Sequence, residues 1–72
     1  MIKVGDIIKI EVKERSKQFF TPDYLHSNIG YVFQIDDEHI YIKAFRKDVH
    51  GKAYVSSCDR YPLHDVDIEK IF

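Results

Sequence analysis

The 72-residue sequence has little of several residue types that small proteins use for stability or chemistry. Its single cysteine, Cys58, excludes a disulfide within the chain, and a lone thiol is typical of a reducing compartment. Only three glycines and two prolines are present, which excludes a linker or low-complexity segment. Because apolar runs are very short, we expect no signal peptide and no membrane span, and a cytoplasmic location.

What the sequence does contain is enough apolar material for one small core. Hydrophobic residues make up 44% of the chain and include five Tyr and five Phe. A chain of this length forms one domain, spanning residues 1–72, whose stability must come from side-chain packing alone. The net charge of −1 predicts neither strong attraction to nucleic acids nor strong repulsion from them.

Period-two alternation of apolar and polar residues predicts strands along most of the chain. Between Ile7 and Lys13, isoleucine and valine alternate with charged residues, which is the pattern of a half-buried strand. Further strands are predicted at 29–35, 39–45, 53–58 and 67–72. The second and third form a hairpin across the acidic turn 36–38, and Gly30 predicts a bulge or a close backbone approach.

The segments between these strands are polar and lack a period. The longest, residues 14–28, contains turn signals at Thr21-Pro22-Asp23 and Ser27-Asn28, and long loops in small domains are often functional. Residues 46–52 form a basic loop, and Tyr61 to Asp65 is expected to include a short 3₁₀ turn. Five short strands leave few ways to protect their edges, so we expect an all-β domain that curls into a small barrel.

Two segments resemble SH3-like barrels. Val4 to Ile10, followed after a long loop by Ile29 to Ile35, is similar to the start of KOW-type modules, in which a Gly-Asp turn launches the first strand. Tyr61, Pro62 and Val66 match the close of signalling SH3 domains, where a 3₁₀ turn leads into the last strand. The resemblance implies a five-stranded SH3-like barrel. It does not extend to proline-rich ligands, because the chain has no Trp and Asp65 stands where that family has its groove tyrosine.

No residue cluster has the signature of catalysis, a metal or a cofactor. A reactive Cys58 would need a base such as His64, and buried cysteines are far commoner than reactive ones. The histidines lack zinc-ligand spacing, and the acidic run 36–38 is more simply a solvated turn than a cation site. We therefore expect no enzyme, no metal and no cofactor, with a Cys58–His64 site as the least favoured alternative.

Aromatic residues in the first long loop and near the predicted turns are candidate anchors for a protein partner, since Tyr and Phe offer a large contact area at low entropic cost. The alternative for Phe19 or Phe20 is that the ring folds back and closes one end of the barrel. The candidate protein-binding residues are Phe19, Phe20, Tyr24, Tyr41, Phe45, Tyr61 and Pro62.

Clustered lysines and arginines suggest a second binding mode. If the first long loop and the basic loop are neighbours, phosphate contacts would combine with stacking on Tyr41 and Phe45, as in single-strand binders. The alternative is a solvated basic turn, interrupted by Asp48. The candidate nucleic-acid-binding residues are Lys13, Arg15, Lys17, Lys43, Arg46, Lys47 and Lys52.

The sequence as a whole favours a non-enzymatic interaction module that binds a larger protein. Stand-alone barrels of this size are typical of adaptor, accessory or inhibitor proteins, including those of phages and mobile elements. A KOW-type barrel that binds RNA or DNA is the alternative. Because edge strands in so small a domain could pair between copies, the sequence is compatible with either a monomer or a homodimer.

Overall fold

The computed structural model describes residues 1–22 and 28–71. Within these residues the chain forms one antiparallel sheet in the order β4-β3-β2-β1-β6, and β5 pairs with β3 beside β4. The strands are β1 (Ile7–Val12), β2 (Asn28–Ile35), β3 (His39–Lys47), β4 (Ala53–Val55), β5 (Asp59–Pro62) and β6 (Val66–Lys70). Two 3₁₀ segments, Glu14–Phe19 and Leu63–Asp65, connect them. The all-β class predicted from the alternation is therefore confirmed.

The core lies on one side of the sheet and is built from alternate residues of its strands. In β1 and β3 the inward positions are those that the period-two pattern predicts. Removing each such aliphatic side chain from water contributes about 1.5–3 kcal/mol. The buried apolar residues are Ile8, Ile10, Val12, Val32, Ile40, Ile42, Ala44, Tyr61 and Val66.

The central strand β2 approaches its neighbour unusually closely at Gly30. A Cβ atom at this position would collide with the carbonyl oxygen of Lys43 and would lie 2.8 Å from the Cα of Ala44. The register of β2 against β3 shifts between Val32 and Gln34, which marks a bulge just beyond this point. Of the two alternatives that Gly30 predicts, the close backbone approach is confirmed, and the bulge lies further along β2, between Val32 and Gln34.

The structure differs from the predicted five-stranded closed barrel. It has six strands, and the sheet does not close on itself within the described residues. The strand predicted at 53–58 ends at Val55, because Ser56 takes over the next pairing position. Its backbone N–H donates to the Ala44 carbonyl at 2.8 Å, and its Oγ accepts from the Ala44 N–H at 2.9 Å. The chain then turns and begins β5 at Asp59.

The first long loop begins with structure that the aperiodic sequence did not indicate. After β1 the chain forms the 3₁₀ segment Glu14–Phe19, whose Ser16 is buried. The Ser16 hydroxyl donates to Asp65 Oδ1 at 2.8 Å, and the Lys13 N–H donates to the Asp65 carbonyl at 2.8 Å. These bonds fasten the start of the loop to the predicted 3₁₀ turn before β6, which the structure places at Leu63–Asp65.

The two turns predicted in this loop each fall partly on residues 23–27, which lie outside the described residues. Asn28, predicted to lie in a turn, instead begins β2. No helix in residues 1–22 or 28–71 has the length and apolar character needed to cross a bilayer.

Candidate functional site

The face of the sheet that points away from the core carries an apolar and aromatic surface. In β2 the inward positions are Asn28, Gly30 and Val32, so the larger apolar side chains of this strand point outward. In β3 the inward residues are Ile40, Ile42 and Ala44, which leaves the intervening side chains on the same outer surface. We call this surface the aromatic face, and it consists of Ile29, Tyr31 and Phe33 from β2 and Tyr41, Lys43 and Phe45 from β3.

Two side-chain contacts link members of the aromatic face. The rings of Tyr31 and Phe45 have centroids 6.3 Å apart, and Lys43 Nζ lies 4.7 Å from the centroid of the Phe33 ring. A lysine ammonium over an aromatic face is attracted by the ring quadrupole. Ile29, Phe33 and Phe45 nevertheless remain 45%, 47% and 47% exposed. The cluster is therefore arranged by the sheet and is still accessible to a partner.

The flanks of the aromatic face differ in charge. Next to β3, Lys47 pairs with Ala53 of β4 and Tyr41 pairs with Arg60 of β5, so this flank is basic. On the opposite flank, Glu11 of β1 pairs with Asp67 of β6. Apolar residues extend the centre in both directions, because Val55 pairs with Phe45 and Ile7 pairs with Tyr31.

The predicted protein-binding residues divide between surface and core. Tyr41 and Phe45 lie on the aromatic face, whereas Phe19 is 75% exposed on the 3₁₀ segment of the first loop. Phe20 packs against the core and stacks on Tyr61 with ring centroids 6.2 Å apart, which agrees with the interpretation that one loop ring closes the core. Tyr24 lies outside the described residues.

Tyr61 is a correction to the predicted binding surface. Its side chain is fully buried and its hydroxyl accepts a 2.8 Å hydrogen bond from Asn28 Nδ2. Pairing of Tyr61 with Ile40 turns the ring inward, so it is a core residue that a partner cannot reach. The next residue, Pro62, is half-buried and remains partly accessible.

The predicted basic residues differ in their partners and in their exposure. Arg15 donates a hydrogen bond to the His64 carbonyl at 3.2 Å, and Lys17 Nζ lies 2.9 Å from Glu14 Oε2. Both side chains therefore have partners in or beside the 3₁₀ segments. Lys13 is half-buried beside them. Lys43 and Lys47 point outward from β3, and Lys52 is exposed in the following loop.

Arg46 points to the inner side of β3 and forms an ion pair instead of a binding contact. Its Nη2 lies 2.7 Å from Asp59 Oδ2, and the side chains are only 26% and 15% exposed. The hydrogen bond to Asp59 raises the pKa of the guanidinium above its ordinary value, against a smaller opposing effect of burial. Arg46 is consequently neutralised and holds the start of β5 against β3.

A cleft of about 390 Å³ opens beside the β2–β3 turn, and its walls are Asp37, Glu38, His39, Pro62, Leu63 and His64. At its edge Asp36 Oδ1 accepts the backbone N–H groups of Glu38 and His39, and these bonds hold the pKa of Asp36 below its ordinary value. Across residues 1–22 and 28–71, no three His, Cys, Asp or Glu side chains are grouped to hold a metal ion. Cys58 lies elsewhere and is exposed.

The residues that the sequence reasoning missed are Ile29, Tyr31 and Phe33. An apolar residue at every position from Tyr31 to Phe33 indicates a central strand but does not say which face is the core. The polar Asn28 would itself favour the outer face, and the choice depends on the contact of Gly30 with the backbone of β3, which the strand pattern does not contain. Comparison with protein-family models, curated proteins and solved structures finds no match to this chain.

Proposed function

We propose that this protein is a non-enzymatic interaction module that binds a larger protein through its aromatic face. The observation that carries the proposal is the half-exposed cluster of Ile29, Phe33 and Phe45 on a continuous sheet. A single exposed apolar side chain is ordinary, but a contiguous group ordered by ring contacts is typical of interaction surfaces. Aromatic side chains held by a sheet also lose little entropy on binding.

The composition of the aromatic face defines the kind of protein that fits it. Ile7, Ile29 and Val55 add aliphatic area around the rings, which favours a complementary apolar surface on the partner. Lys47 and Arg60 lie at one flank, so acidic side chains on the partner would pair with them at the rim. Rim charges of this kind fix orientation and speed association more than they add affinity.

An SH3-like arrangement remains our proposal for the fold family. Three features support it: a long first loop after β1, the Leu63–Asp65 3₁₀ turn, and the antiparallel pairing of β6 with β1. The fourth predicted strand, 53–58, ends at Val55 because Ser56 bonds to Ala44, and β5 begins at Asp59, beyond the predicted strand. The proposal for binding rests on the aromatic face and does not depend on this family assignment.

The decisive experiment is affinity capture with variants matched in chemistry. Phe45→Ser removes a central ring of the aromatic face, and Val49→Ser removes an apolar side chain that is 95% exposed in the loop after β3. Phe19→Ser tests the first loop in the same way. We expect the wild type, Val49→Ser and Phe19→Ser to retain a partner protein that Phe45→Ser loses. Mass spectrometry identifies this protein, and capture is repeated with nuclease to remove proteins held through nucleic acid.

The pattern of loss decides the outcome. A protein lost with Phe19→Ser and kept by Phe45→Ser would place the binding surface on the first loop and contradict the proposal. Equal retention by all variants would contradict it as well. Thermal unfolding of each variant shows that losses come from the surface and not from unfolding.

A second candidate function is favoured by the Lys43 ammonium over the Phe33 ring. Together with Tyr31, Tyr41 and Phe45, this arrangement offers stacking positions next to cations, which is how single-stranded nucleic acids are held. The acidic residues Glu11 and Asp67 on the same sheet face oppose this function. The protein partner is therefore our first choice.

Fluorescence anisotropy with single-stranded DNA and RNA separates the two candidates. Nucleic-acid binding predicts an affinity that falls steeply with salt and weakens with Lys47→Ala and with Phe45→Ala. Lys52→Ala, at an exposed lysine in the turn between β3 and β4 and not on the aromatic face, is the matched control. No change in anisotropy at low salt would eliminate this candidate.

A further inference from the structure

We infer that two copies of this chain cover each other's aromatic face when no partner is bound, so that self-association regulates the proposed binding site. This inference rests on the proposed function of that face. It is argued from charge complementarity between the two flanks. The flank next to β3 presents Lys47, and the flank formed by β1 and β6 presents Glu11 and Asp67.

The acidic flank has an unbalanced charge within one chain. Glu11 and Asp67 are directly paired across β1 and β6, and like charges in that position are destabilising. Lys9 offsets part of this charge, with its Nζ 3.6 Å from Glu11 Oε1. Lys9 also pairs with Glu69, so one lysine serves three carboxylates at this edge. An additional cation from outside the chain would remove the imbalance.

A simple symmetry operation supplies that cation. In the sheet order, β1 and β3 flank β2, each about 4.8 Å away from it. A twofold axis parallel to β2, lying between two facing copies, places β2 opposite β2 and β3 opposite β1 of the second copy.

The paired registers put Lys47 at the same level as Glu11. Gly30 pairs with Ile8 of β1 and with Ala44 of β3, and these two outer strands run in the same direction. Moving three residues along each of them leads from Ile8 to Glu11 and from Ala44 to Lys47. In the facing arrangement Lys47 therefore meets Glu11 of the second copy, and the symmetry makes this contact twice. Ile29 and Tyr31 of β2 meet the same residues of the second copy, and Phe45 faces Lys9 of the second copy.

The dimer is expected to be weak enough for a partner to displace it. The contact area is about five strands wide, at about 4.8 Å per strand, and a few residues long, at about 3.3 Å per residue. An area of this size is at the low end for specific interfaces. Affinities in the micromolar range are typical of such contacts, and rim charge pairs weaken further with salt. Partner binding and self-association then compete for the same side chains.

Charge reversal in separate variants tests this arrangement. We expect sedimentation velocity of the wild type to show a concentration-dependent dimer, and Lys47→Glu or Glu11→Lys to weaken it at least about tenfold, because each change places like charges together twice. Mixing the two variants restores association, since each Glu at 47 then faces a Lys at 11 in the other copy. Coupling within one chain cannot produce that restoration.

Matched reversals away from the aromatic face are the controls. Lys52→Glu and Glu38→Lys change the net charge by the same amounts at exposed positions outside it, and both should dimerise like the wild type. A wild type that stays monomeric at millimolar concentration would overturn the inference, as would a dimer indifferent to Lys47→Glu, or single variants that fail to associate when mixed. Capture of a partner through Phe45 by a strictly monomeric protein would leave the proposed function standing and refute only the dimer.

Discussion

Asn28 Nδ2 donates a 2.8 Å hydrogen bond to the hydroxyl of Tyr61 inside the core. The first residue of β2 is thereby joined to β5 across the interior, and both side chains are buried. The bond lets an amide and a phenol occupy an otherwise apolar core, because a buried polar group without a partner costs about 1–3 kcal/mol. It also keeps the Tyr61 ring inside, where Phe20 packs on it.

Removing the Tyr61 hydroxyl should therefore destabilise the protein. Tyr61→Phe leaves the Asn28 amide without this acceptor, and we expect the free energy of unfolding to fall by about 1–3 kcal/mol in urea titrations. Tyr41→Phe removes a hydroxyl from the half-exposed outer surface and should alter the free energy of unfolding by less than about 0.5 kcal/mol. Equal effects of the two substitutions would contradict the role of the bond.

Gly30 should tolerate no larger residue. Gly30→Ala places a methyl group against the backbone of Lys43 and Ala44, so β2 and β3 must separate where they pair most extensively. We expect a loss of about 2–3 kcal/mol or failure to fold, measured by chemical denaturation. Gly51→Ala is the control, because the space around Gly51 is open although its φ is 78°. The free energy of unfolding should then fall by only about 1 kcal/mol, as expected for an L residue in that conformation.

The Arg46–Asp59 ion pair should contribute to stability and not to ligand binding. Arg46→Ala leaves the Asp59 carboxylate, 15% exposed, without its 2.7 Å partner, and we expect a loss of about 1–2 kcal/mol. A double-mutant cycle with Asp59→Ala isolates the interaction, because removing both charges should cost less than the sum of the single changes. Additive single effects would show that the pair is energetically silent.

Stability should fall in acid partly because of Asp6. Its pKa lies below the ordinary value of 3.8, chiefly because its carboxylate accepts the Lys3 backbone N–H at 2.9 Å, with Lys70 Nζ 3.6 Å away adding a smaller attraction. A lowered pKa in the folded state means that the carboxylate contributes stability above the unfolded pKa and loses it as pH falls through the folded value.

Asp6→Asn checks that sign. We expect a lower melting temperature than the wild type at neutral pH and convergence of the two proteins as pH drops below about 4 and approaches 2. Asp37→Asn, at an exposed position in the β2–β3 turn, is the control and should follow the wild type. A difference between Asp6→Asn and wild type that persists unchanged at pH 2 would show that the charge is not responsible.

Alternation predicted the fold wherever only one face of a strand is apolar. In β1, isoleucine alternates with lysine, so the core face is unambiguous and Ile8 and Ile10 are buried as expected. In β2 both faces carry apolar residues, and the choice between them depends on Gly30 meeting the β3 backbone, a contact between strands that periodicity does not contain. The aromatic face escaped prediction for the same reason.

The remaining misses are caused by hydrogen bonds between separate segments. A serine hydroxyl at Ser56 satisfies the Ala44 N–H in place of a strand partner, which ends the predicted strand 53–58 at Val55, and β5 begins beyond it at Asp59. The segment Glu14–Phe19 lacks a helical period, and its form is set by bonds from Lys13 and Ser16 to Asp65. None of these three hydrogen bonds is visible in the order of residues, because each depends on where separate segments meet.

The attachment of Ser16 to Asp65, across 49 positions of the chain, also has a consequence for synthesis. Strand β1 acquires its partner β6 only when residues 66–70 exist, so a nascent chain shorter than this leaves one edge of β1 bare. Completion of the sheet on the ribosome must therefore wait until residues 66–70 have left the exit tunnel. Until then, the growing chain can hold only the pairings among β1 to β5, with one edge of β1 unpaired.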